Sequence, residues 1–130
     1  MAEALKRLYE TLSSKRPEPA ANMRDLIDRT WAFVSNRRFK AVIEAWLAMA
    51  NDPDLRSEIG PVVGQLAALV LPERMAPSIK FDEERRSFYL MAREAMLGLA
   101  LGRATTRGKA LQHESLVVEN LRRIAASLDA

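Results

Sequence analysis

An all-α fold is what this sequence predicts, and three observations carry the prediction. Apolar residues recur with the 3.6-residue period that lines one face of a helix, segment after segment. No run alternates apolar and polar residues between hairpin signals, so no strand is predicted. The 5 glycines and 6 prolines fall mostly where a periodic segment starts or stops. Together these describe a bundle of about five or six helices.

The first periodic segment places Leu5, Leu8, Tyr9 and Leu12 on one face and ends near Ser13-Ser14. SKRPEPAAN, with two prolines, reads as a connector, and Asn22 caps a second helix. That helix aligns Met23, Leu26, Ile27, Phe33 and Val34, with Trp31 at the flank. Carrying its phase onward would bury Arg37 and Arg38, so the chain must kink or restart near Ser35-Asn36. A third helix gathers Phe39, Val42, Ile43, Trp46, Leu47, Met49 and Ala50 into one arc. Asp52-Pro53 then supplies a capping carboxylate followed by proline at the first helical position, where its missing N–H costs nothing. Leu55, Ile59, Val62, Val63, Leu66, Leu69 and Val70 stay in phase across Gly60-Pro61, which predicts one kinked helix rather than two. LPERMAPSIKF reads as a loop. Asp82 caps a long helix to about Ala104, Thr105 to Gly108 form a short turn, and a last helix runs to about Leu128 with Val117, Leu121, Ile124 and Leu128 inward.

At 130 residues the chain is read as a single domain, 1–130, able to bury a core without staples. Its 48% apolar and 28% charged residues exclude a disordered chain. The absence of cysteine excludes disulfides and thiolate metal sites and fits a reducing cytoplasm. MAEALKRLYETL lacks the apolar run of a secretory leader, and Phe88 to Gly102, interrupted by Arg93 and Glu94, is too short to span a bilayer. A net charge of +3, with arginine pairs scattered and no aromatic platform among them, describes a solvated surface rather than a nucleic-acid footprint.

Enzyme chemistry finds little to hold. The single His113 has no carboxylate at metal-ligand spacing, and Asp52, Asp54 and Glu58 suit a capped helix start better than a calcium loop. There is no nucleophile elbow and no phosphate loop. The expectation is a non-enzyme without cofactor or metal. Trp31 and Trp46 belong to the core by default; the alternative is a pocket lined with Met49, Met91 and Met96, since adaptable helical ligand sites combine aromatics with methionines. Arg93 or Tyr9 would orient the guest.

The long helix carries two apolar stripes. Phe88, Ala92, Ala95 and Leu99 form one; Leu90, Leu97 and Leu101, with Ala104, form a second nearly opposite. A surface helix needs only one. The second lies either within the domain or against a partner subunit, and Gly98 and Gly102 would let a neighbouring backbone approach.

The run RFKAVIEAWLAMANDPDLRSEIGPVVGQL, followed by a loop and DEERRSFYLMAREAMLGLALGRA, resembles the C-terminal regulatory domain of TetR/AcrR-type transcriptional regulators over about residues 22 to 130. The resemblance implies a helical domain that binds a small effector. It also implies a homodimer in which the last two helices of each subunit form a four-helix bundle. Leu90, Leu97, Gly98 and Leu101, with His113, Leu116 and Asn120 of the last helix, would face the partner. The helix-turn-helix that begins such regulators is missing from the pattern here, so DNA would be reached only through a domain absent from this chain. A second reading is a ligand-free helical adaptor that dimerises and acts by protein contact.

Overall fold

The computed structural model describes residues 1–14, 18–107 and 109–130. Lys15 to Pro17 of the expected connector and Gly108 of the expected turn lie outside these. Among the described residues the structure is all-helical: α1 (Ala2–Ser14), α2 (Met23–Val34), a 3-10 turn (Arg37–Phe39), α3 (Lys40–Met49), α4 (Pro53–Ala68), α5 (Pro72–Met75), α6 (Glu83–Thr105) and α7 (Glu114–Leu128). None of these helices is long and apolar enough to cross a membrane.

Local chemistry sets the boundaries. Asn22, Asp52 and Asp82 each accept a hydrogen bond from the backbone N–H three residues on, at 2.8, 3.0 and 2.9 Å, which satisfies a donor that the helix itself leaves free. The N–H groups of Met23 and Arg24 have a distant partner. Both donate to the Asp129 carboxylate, at 2.8 and 3.1 Å, so the end of α7 closes the start of α2. α4 runs unbroken through Pro61, as its continuous apolar phase requires. The expected loop after α4 contains one helical turn, α5, because Pro72 sits at its first position with φ already suited to a helix. The connection from α6 to α7 spans residues 106 to 113, longer than the expected tight turn.

The buried side chains of α1, α2, α3, α4 and α6, with Leu121 and Ala125 of α7, make one continuous core. Its centre holds Leu26, Ile27, Phe39, Val42, Ile59, Leu66, Tyr89 and Met96, each at most 1% exposed. Tyr89 is the polar exception. Its hydroxyl donates to the Val70 carbonyl at 2.9 Å and lies 3.0 Å from the Thr30 hydroxyl, tying α6 to α2 and to the end of α4.

Three expected faces are rotated. In α7 the buried positions are Glu114, Val118, Leu121 and Ala125, and Ile124, expected inside, is 44% exposed. The reason is an ion pair: Arg103 of α6 grips Glu114 through both carboxylate oxygens, at 2.8 and 2.5 Å, and draws that side of α7 inward. In α6 one broad face is buried, Phe88, Tyr89, Ala92, Met96, Leu99 and Ala100, while Leu90 and Leu97 are half-buried, Leu97 packing against the core. In α3, Leu47 leaves the core arc and is 56% exposed.

Candidate functional site

α3, α4 and α6 diverge enough to leave an open groove of about 680 Å³ on the surface of the core. Its α6 wall is Arg93, Glu94, Leu97, Gly98 and Leu101, a strip of two helical turns. Gly64, Ala67, Ala68, Val70 and Leu71 come from α4 and the residues after it, and Ile43, Trp46 and Leu47 from α3. Small residues on α4 open the space, because Gly64, Ala67 and Ala68 present almost no side chain where a leucine would fill it. Trp46 forms the aromatic part of the wall. Its ring stands edge-on to buried Phe39, centroids 6.2 Å apart and planes at 83°, a favourable quadrupolar arrangement that fixes its tilt.

The groove has two distinguishable ends. The Tyr89 hydroxyl bonds the Val70 carbonyl, which places the end of α4 beside the turn of α6 that carries Arg93. Ile43 also lines a small cleft with Ala100 and Ala104, which places α3 towards the Leu101 end. Only Arg93 and Glu94 among the lining residues are charged. Glu94 is largely in water, its side chain 67% exposed, whereas that of Arg93 is 20% exposed. Their ion pair is loose: one carboxylate oxygen receives both Nε and Nη2, at 3.3 and 3.2 Å. Charge-assisted bonds are normally about 2.7–2.9 Å. The groove thus offers apolar surface and one guanidinium, with no nucleophile, no histidine and no pair of convergent carboxylates among its walls.

The residues singled out from sequence scatter. Trp46 and Arg93 meet in the groove. Met96 lies beneath it, fully buried in the core, and Met49 packs on the core without lining the groove. Met91, on the outer side of α6, is 59% exposed and belongs to neither. Trp31 stands on the other side of the bundle, where the Arg103 guanidinium sits 5.2 Å from its ring centroid while holding Glu114. The Glu114 carboxyl titrates below its ordinary range because Arg103 hydrogen-bonds its charged form, against the opposing effect of burial. In that cluster of α2, α6 and α7 Arg103 bonds both oxygens of the Glu114 carboxylate, and it is a clasp rather than a site.

Of the positions expected at a partner subunit, Leu97, Gly98 and Leu101 line the groove, and Leu90 is half-buried outside it. Gly98 has open space where a Cβ would stand; at Gly102 the neighbour is the Leu111 side chain rather than a backbone. Leu116 is 65% exposed, and His113 and Asn120 are exposed as well, His113 preceding α7 with no capping bond. The sequence reading missed Ile43, Leu47, Gly64, Ala67, Ala68, Val70, Leu71 and Glu94 as groove residues. The run of small residues on α4 was the signal available for them. Among the described residues no three histidine, aspartate or glutamate side chains converge as metal ligands.

No family model matches this chain, and neither a curated protein nor a solved structure matches it.

Proposed function

We propose that the chain is the ligand-sensing and dimerisation module of a TetR-like transcriptional regulator, and that a small apolar effector binds between α3, α4 and α6. The groove is the observation that carries this reading. Its volume falls within the roughly 300–1,000 Å³ of small-molecule sites, and its walls are apolar with few polar groups. A guest there would touch three helices at once and bias their spacing, and packed helices move as units rather than deform smoothly. In this reading the cytoplasmic homodimer forms through the last two helices. Leu116 and Ile124 on α7 and Met91 on α6 are large exposed apolar side chains that support it. DNA is contacted only through a helix-turn-helix unit.

Tryptophan fluorescence and thermal shift against a panel of apolar small molecules test the sensor role. At least one compound should raise Tm and change Trp46 emission, and Trp46→Phe should remove the optical response. A panel that leaves both unchanged would favour the second reading, a ligand-free helical adaptor. The filled core and the apolar lip formed by Leu47, Leu71 and Leu101 favour that alternative. Dimerisation is tested by sedimentation at micromolar concentration. Leu116→Glu should give a folded monomer, because a side chain 65% exposed in one subunit plays no part in that subunit's core. A wild type that sediments as a monomer refutes the dimer.

A further inference from the structure

We infer that the groove selects an amphipathic anion, a compound with one carboxylate-type head and an unbranched or flat apolar body. The inference rests on the groove being an effector site and adds the chemistry of its occupant. Arg93 is the decisive residue. Its side chain is mostly withdrawn from water, yet its only acceptor among the described residues is one oxygen of Glu94 at long range, with Glu94 itself largely solvated. Nη1 has no partner among the described residues, so one edge of the guanidinium fork remains available. Arg103, by contrast, has its fork matched by two oxygens of Glu114. A planar guanidinium presents paired donors in the geometry of a carboxylate, and a partly buried cation with loose compensation favours an anion over a neutral or cationic head.

The position of Arg93 sets the orientation. It stands at the end of the groove beside Val70, and Leu97 and Leu101 follow at one-turn intervals along the same wall. From Arg93 to Leu101 the helix rises about 12 Å. An acid bound at Arg93 would therefore lay its body along Leu97 and Leu101, opposite Trp46 and Ile43. The small residues of α4 leave room for its width.

Decanoate, 1-decanol and decylammonium, each below its aggregation threshold, form a matched set of probes for titration calorimetry. Water solvates the carboxylate more strongly than the hydroxyl, so an indiscriminate greasy groove would favour decanol. The inference predicts the reverse, with decanoate binding at least about tenfold tighter than decanol and decylammonium weakest. Arg93→Gln should erase the preference for decanoate, weakening decanoate far more than decanol. Gly98→Trp should abolish binding of all three without unfolding the chain, since nothing lies within 4 Å of a Cβ at that position. Decanol binding as tightly as decanoate, or a preference that survives Arg93→Gln, overturns the inference and leaves the effector site standing. No binding of any probe to a folded wild type overturns the inference and counts against the site itself.

Discussion

Replacing Tyr89 with phenylalanine removes one oxygen from a side chain that is 0% exposed, and the structure fixes what that oxygen does. A tyrosine hydroxyl has one proton; here it goes to the Val70 carbonyl, so the Thr30 hydroxyl must donate to Tyr89. In the variant, Thr30 can turn to the carbonyl one helical turn back, which limits its loss. The Val70 carbonyl has no such recourse. An orphaned buried acceptor costs about 1–3 kcal/mol, and the ring itself still fills its space, so the expected loss is about 2 kcal/mol. For a chain of this length that lowers Tm by roughly 6–10 °C. Urea unfolding followed by circular dichroism should show a lower midpoint at unchanged slope. Thr30→Val should cost less in the variant than in the wild type, because the pair shares one interaction. The alkaline limb adds an independent reading. Burial pushes the Tyr89 ionisation above its ordinary value of 10.0, against the opposing hydrogen bond from Thr30. The folded state thus holds this proton more tightly than the unfolded chain. Its contribution is whole below about pH 10 and is lost as pH rises towards the raised folded value. The wild type should lose stability above pH 10 more steeply than Tyr89→Phe. A variant within about 0.5 kcal/mol of wild type would refute the network as a stabilising element.

Glu114→Gln should cost about 1–2 kcal/mol at neutral pH by weakening the grip of Arg103. Because the folded Glu114 titrates below its ordinary value of 4.5, its contribution is present above that value and fades as pH falls through the lower one. The variant should therefore show a shallower loss of stability on acidification. Asp129→Ala should cost about 1 kcal/mol, the usual worth of a helix cap, with faster hydrogen exchange confined to the first turn of α2. An unchanged exchange pattern would mean that solvent replaces that carboxylate without loss. Gly98→Ala should raise stability by about 0.5–1 kcal/mol in a urea melt, since an open helical position loses only the entropic cost of glycine. Gly102→Ala should gain less than Gly98→Ala, because its Cβ would force the Leu111 side chain to shift.

What the sequence alone determined was where α2, α4 and α6 begin. Asn22, Asp52-Pro53 and Asp82 act on backbone groups within a few residues of themselves, so their effect is written locally and reads locally. The all-helical class follows from the same local signals, repeated. Which way each helix turns was decided by tertiary structure. Around α7, two apolar arcs compete, one through Val117, Leu121, Ile124 and Leu128, the other through Val118, Leu121 and Ala125. Hydrophobic periodicity favours the first, because it scores Glu114 as a residue for water. Arg103, 11 residues upstream, compensates that charge and turns the second arc inward. Tyr89 escapes the apolar count on α6 for a related reason: its hydroxyl is affordable inside only because Val70 and Thr30 meet it there. The candidate site shows the same division. Trp46 and Arg93 stand out in the sequence as a large aromatic and an interrupting charge, but Leu97, Gly98 and Leu101 read as an outward stripe. They become the wall of a groove only because α4, some 30 positions earlier, places small residues across from them that leave the space between unfilled. A cavity belongs to the gap between elements, and no single element encodes it.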